Sequence, residues 1–232
     1  MKSLSQAFGF LVLLSLLSCT APVEMEIDAH LKAHSTKFDV ENVKKNGEQK
    51  ISFGHFSAYN KEFGTFWMET AGIADYFNPE SLVTFAAENN DNYVYDIVIS
   101  KIDAQADIIK YGSHFDLPMQ NNDAFETSLA GYLYATHDEY AMVYIKHSPI
   151  SYEGYLTNGF DLYEILPVVS KPGENEKSKA ELLGYQFKLN NEYVGSLQIA
   201  GNQNFRMTNE YCDATEMILG AIASIILKFE NL

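Results

Sequence analysis

DATEMILGAIASIILKF, residues 213–229, is the stretch whose reading decides the fold. Asp213 and Glu216 have the spacing of a capping box, the aspartate capping and the glutamate reaching back to the first turn. Met217–Leu227 then runs without a charge, and its apolar and small residues surround the whole helical circumference rather than one stripe. A helix apolar on every side is either a membrane span or a core helix. At 1.5 Å per residue, Met217–Leu227 covers roughly 16 Å, about half a bilayer core, so a buried helix over about 214–229 is expected.

Working outward, the residues before this helix follow a β pattern. Ser81–Ala87 and Tyr93–Ile102 are rich in β-branched and aromatic residues, and Gln49–Tyr59 reads as one strand with Ile51, Phe53, His55 and Ser57 on one face. Gly131–Thr136 and Tyr140–Lys146 flank a short polar gap, His137-Asp138-Glu139. Gly154–Leu156, Phe160–Val168, Ala180–Leu189 and Tyr193–Ala200 continue the series, with Asn190-Asn191-Glu192 as a further hairpin junction and Lys171–Lys179 as a charged loop. Short strands at regular intervals imply a barrel or sandwich, not alternating βαβ units.

This carboxyl-terminal run resembles the tubby-like fold, whose families include the tubby domains and the phospholipid scramblases. LLGYQFKLN (182–190) and YVGSLQIAG (193–201) form paired strands, and Asn204-Phe205 opens a short one that runs to Met207. The acidic turn Asp213–Glu216 then leads into MILGAIASIIL and Phe229-Glu230. Small Gly220, Ala221, Ala223 and Ser224 let strands approach closely. The resemblance implies a closed antiparallel barrel of roughly twelve strands around a buried hydrophobic helix. It is a likeness of pattern over residues 182–230, and it extends upstream only through the number of strands. Tubby domains hold phosphoinositides with Lys and Arg. Here Arg206 is the sole arginine among 16 basic residues and no dense basic cluster exists, so phosphoinositide binding is not expected. The palmitoylation and calcium features of scramblases have no counterpart, and fold alone does not transfer function.

The amino terminus assigns a compartment. MKSLSQAFGFLVLLSLLSC (1–19) has one basic residue, a short apolar run and small residues before Cys19, the layout of a secretory signal. Leu16-Leu17-Ser18-Cys19 resembles the lipobox of bacterial lipoproteins, which implies cleavage after residue 18 and lipid attachment at Cys19, with thioether-linked diacylglycerol and an acyl chain such as palmitate. Thr20 in place of aspartate implies the outer membrane of the bacterial envelope. Two or more acyl chains anchor a protein stably without a spanning helix. Residues 19–36 read as the lipidated cysteine and a flexible tether reaching roughly 20–25 Å, part of which could form a short helix, and residues 37–232 as the barrel domain. Cys212 is left without a partner, so the domain is no disulfide scaffold.

Composition excludes several functions. With 31 acidic and 16 basic residues the chain carries a formal charge of −15, a poor match for a nucleic-acid backbone. The histidines are His30, His34, His55, His114, His137 and His147, and none sits in a zinc motif. His30 and His34 stand four apart and on a helix would share a face, but as tether residues they read as solvated side chains. His55 and Ser57 lack the Gly-x-Ser-x-Gly elbow of a serine hydrolase. Asp103/Asp107, His137-Asp138-Glu139 and Glu174/Glu176 read as surface acids, and Asn89-Asn90-Asp91-Asn92 lacks the glycine and glutamate of a calcium loop. No catalytic residue, metal site or cofactor is expected. The expected function is binding of a lipid or an envelope protein. The alternatives are an envelope hydrolase, carbohydrate-active, whose carboxylates the fold would bring together, and a calycin-like carrier with an open cavity and the helix outside.

Overall fold

The computed structural model describes residues 24–45, 48–60, 83–89, 94–102, 105–118, 127–135, 138–148, 151–170, 180–211 and 213–229. Helix α1 (Ala29–His34) leads into β1 (Ser35–Lys45), β2 (Glu48–Phe53), β3 (Phe56–Asn60), β4 (Val83–Asn89) and β5 (Val94–Lys101). Helix α2 (Gln105–His114) precedes β6 (Thr127–Ala135), β7 (Asp138–Ser148), β8 (Ser151–Thr157) and β9 (Leu162–Val169). The chain ends with β10 (Leu182–Leu189), β11 (Glu192–Gln198), β12 (Asn204–Thr208) and α3 (Asp213–Phe229).

The twelve strands form one closed antiparallel meander, as the sequence leads one to expect. Each strand pairs with the next, and β1 closes on β12 from Ser35↔Thr208 to Asp39↔Asn204. Closure removes the unpaired edges that an open sheet would expose. Inside, Leu219, Ala221, Ile222, Ile225 and Ile226 of α3 meet Ile51, Ile97, Leu133, Leu156, Ile165, Phe187 and Phe205 from strands around the ring. Seventeen residues of helix span about 25 Å, close to the length of an eight-residue strand. The Ser224 hydroxyl, buried in this apolar setting, donates to the Gly220 carbonyl at 2.8 Å and so keeps a partner. The helix is therefore inside the barrel, which rules out the open-cavity carrier with the helix packed outside.

Two local readings are corrected. Gln49–Tyr59 is a hairpin, not one strand: Phe53 pairs with Phe56 across Gly54-His55, and Gly54 adopts φ 57°. The turn shifts the alternation by one residue, so Ile51, Phe53, Phe56 and Ala58 face the core and His55 sits in the turn. The second half of the 19–36 tether is also ordered. Asp28 caps α1 through His30 N and Leu31 N at 2.9 and 3.0 Å. Met25 and Leu31 are only 8% and 1% exposed. Met25 N donates to Gln198 Oε1 at 3.3 Å and Asp28 N to Gln186 Oε1 at 2.9 Å, which straps residues 24–28 along the outer wall of β10 and β11. The barrel itself begins at Ser35. Asn190 and Asn191 take φ 49° and 75°, the left-handed pair that a two-residue hairpin turn needs.

A second, smaller core lies outside the barrel. Helix α2 places Ile108 and Tyr111 against Ala130, Tyr132, Ala141, Val143 and Tyr155 on the outer faces of β6, β7 and β8. The Tyr111 hydroxyl donates to the Gly131 carbonyl. Nothing in the sequence reading anticipated this helix.

Candidate binding cleft on the outer wall

Because α3 occupies the lumen, recognition chemistry must be sought on the outside. The carboxyl-terminal end of α2, the outer faces of β6 and β7 and the β8–β9 turn enclose a cleft of about 690 Å³. One side is built by the residues that end α2. Asp116 N donates to Ser113 O at 3.4 Å and Leu117 N to Gly112 O at 2.7 Å, the paired bonds of a Schellman ending. That ending needs a left-handed residue, and Asp116 supplies it at φ 54° where glycine would be free of strain. Phe115 is fixed beside it by edge-on contact with Tyr132 at 5.2 Å and 89°.

The other side is the turn TNGFD, residues 157–161. Asn158 Oδ1 accepts from Phe160 N and Asp161 N at 2.9 and 2.8 Å. Thr157 Oγ1 accepts from Gly159 N at 3.0 Å and donates to Asp161 O at 2.7 Å. Gly159, at φ 89°, permits the tight path. These bonds hold Phe160 outward with 92% of its surface in water. Phe160 thus adds an exposed aromatic face to the edge of the cleft.

Charge in the cleft is mainly negative. Asp116 and Glu139 are exposed along it, and His114 stands at its rim. Below, burial raises the Tyr111 phenol well above its ordinary pKa and keeps it a neutral donor. Burial, then the hydrogen bond to Glu153, does the same for Tyr155. The arrangement can grip an apolar or aromatic group between Phe115 and Phe160 and pair a cation with the carboxylates. A shallower groove of about 570 Å³ runs beside the strap, between Glu24 and Glu26 on one side and Val168 and Val169 on the other.

The residues singled out from sequence fall in different places. Cys19, Cys212, His137, Asp103, Asn90–Asn92 and Glu174/Glu176 lie outside the described residues. The side chains of Asp107, Asp138, His147 and Asp213 do as well, so only Glu216 of the expected capping box is described. Its carboxylate stands 3.7 Å from His55 Nε2, at the mouth where α3 enters the barrel. Ser57 donates weakly to Glu88 at 3.4 Å, with no histidine in that bond. His30 and His34 do share a helix, and the fold brings Glu210 to them, one ligand atom from each within 4.8 Å of the others.

Sequence reasoning missed the cleft because its walls come from segments far apart in the chain. The available signal was Asn158-Gly159, a turn dipeptide that puts Phe160 in the turn, whereas the sequence pattern makes it the first residue of a strand that in fact begins at Leu162. No family model matches the chain, and comparison with curated proteins and solved structures finds no match.

Proposed function

We propose that this chain is a bacterial lipoprotein, lipidated at Cys19 and anchored in the outer membrane, that works as a binding module for another envelope protein. The observation that carries the reading is the filled lumen: with α3 inside the barrel, a ligand is met on the outer wall, where the cleft carrying Phe160 offers a concave surface of about 690 Å³. Its chemistry favours a protein segment that bears Lys or Arg beside an apolar side chain. Asp116 and Glu139 attract such a cation, and the same carboxylates, on a chain of charge −15, repel phosphate headgroups. Exposed Lys37, Asp39 and Glu41 on β1 argue against a lipid-embedded barrel wall, which would present an apolar band. The strap supports a short mooring, since the five residues from Cys19 to Glu24 span at most about 18 Å. The twelve strands and threaded helix also support kinship with the tubby-like fold, without its phosphoinositide chemistry.

A photo-crosslinking amino acid at position 160, introduced in the bacterial host, tests this. The expected product is a discrete adduct with one envelope protein, diminished by Asp116→Asn and Glu139→Gln. Adducts with lipid alone, or none, would overturn it. The hydrolase alternative draws on the same pair of carboxylates, although both are exposed where a general acid needs burial or a close like charge. Turnover of envelope glycan by the purified protein, abolished by Glu139→Gln, would replace binding with catalysis.

A further inference from the structure

We propose that His30, His34 and Glu210 form a surface site for a borderline divalent cation, Zn2+ foremost, which pins the amino-terminal helix to the β12–α3 connection. His30 and His34 stand one helical turn apart on α1, with rings stacked at 4.3 Å between centroids and 28° between planes. His34 Nδ1 lies 3.0 Å from the His30 carbonyl oxygen, which can only accept, so the ring donates there and its Nε2 keeps the free lone pair. A backbone carbonyl behind a histidine ligand is the usual outer partner in such sites, and it sets both tautomer and ring direction.

The third ligand comes from 180 residues further along the chain, Glu210 counted from His30, and is delivered by structure already in place. Asn209 N donates to His34 O at 3.1 Å and Thr36 Oγ1 to Asn209 Oδ1 at 2.7 Å, tying the connection to the end of α1. Glu210 N donates to Thr208 Oγ1 at 3.3 Å, and Glu210 Oε1 stands 3.8 Å from His30 Nε2. Leu31, buried beneath, holds the helix to the wall. The donor set is two imidazoles and a carboxylate, with solvent free to fill a fourth position. Zinc takes such ligands at about 2.0–2.2 Å. One ligand atom from each residue already lies within 4.8 Å of the others, and all three side chains are exposed, with room to adjust. Imidazole-rich sites suit Zn2+, Cu2+ and Ni2+ rather than Mg2+ or Ca2+, and the surplus of negative charge raises the local concentration of any divalent cation.

The test is calorimetric titration of the intact, detergent-solubilised lipoprotein with ZnCl2, paired with thermal melting with and without the metal. One zinc per chain is expected, with affinity lowered about tenfold or more in both His34→Ala and Glu210→Gln. At one zinc concentration the melting temperature of the wild type should rise more than that of Glu210→Gln. All three side chains are exposed, so the variants should melt like the wild type in EDTA. Absence of zinc binding would overturn the proposal. So would unchanged affinity in a His30→Ala/His34→Ala double variant, which would place the metal elsewhere, or in Glu210→Gln, which would remove the pinning contact.

Discussion

A Cβ placed on Gly220 of α3 would stand 2.6 Å from Cδ1 of Phe56 on β3, closer than side-chain carbons approach. The Phe56 ring has little room to yield, because the rings of His55 and Phe53 lie tilted against it at 4.3 and 5.7 Å. The glycine is thus a steric notch through which the barrel wall meets its central helix.

Gly220→Ala should therefore destabilise the domain even though alanine is the better helix former. Overpacking costs about 1–3 kcal/mol against about 1 kcal/mol gained in propensity, for a net loss of up to about 2 kcal/mol. Urea denaturation measures it, and the double variant with Phe56→Leu should recover most of the loss. An alanine variant more stable than the wild type would show that the helix does not press on β3.

Ile222 is fully buried midway along α3. Ile222→Asp should cost about 3–5 kcal/mol, since an unpaired carboxylate in this core has no compensation. A soluble variant with an unchanged denaturation midpoint would be incompatible with a threaded helix.

Lys228, in the last turn of α3, is only 6% exposed, its ammonium donating to Asn60 Oδ1. Burial lowers its pKa from 10.5. The unfolded chain then holds the proton more tightly, so stability rises with pH from the lowered value up to 10.5. Tyr211 acts in the opposite sense. Its hydrogen bond to Glu192, and then partial burial, raise it from 10.0 to about 12, so its contribution is complete below pH 10.0 and is lost on approach to 12. Melting temperatures across pH 8–12 should show Lys228→Met flattening the rise and Tyr211→Phe flattening the fall. Near neutrality, Lys228→Met should be at least as stable as the wild type, because an apolar side chain replaces a desolvated charge. A large loss there would mean that the bonds of the ammonium, that to Asn60 among them, outweigh desolvation.

Asp116→Gly relieves the left-handed strain at the end of α2. A gain of about 0.5–1 kcal/mol is expected, together with weaker cross-linking from position 160, because the charge is lost while the wall is kept. Stability and binding moving in the same direction would argue that Asp116 is there for the helix ending alone.

Cys19→Ala should move the protein from the membrane fraction to the soluble envelope fraction. Membrane association that survives the substitution would remove the lipid anchor from the proposal.

Legibility followed the range of the interactions. The charge-free circumference of Met217–Leu227 announces a helix with no side for water, and Asn190-Asn191 announces a turn because both residues tolerate positive φ. The same local logic failed at Gln49–Tyr59. Two turn residues reset the alternation, and only the Phe53–Phe56 pairing reveals which side chains turn inward. Helix α2 was hidden for a related reason: its apolar residues are few, and they matter only because Ala130, Tyr132, Ala141 and Val143 offer them an outer face of the wall.

By itself, then, the sequence determined what each segment must hide: a helix on all sides, and strands on one face each. Tertiary closure decided what does the hiding, and hence where a ligand can reach. Pairing of β1 with β12 encloses α3 and sets Glu210 beside His30, and the packing of α2 on β6 and β7 leaves the cleft beneath Phe160 on the outer wall. Periodicity records the solvent preference of neighbouring residues, whereas these contacts join positions far apart in the chain and come into being only in the folded barrel.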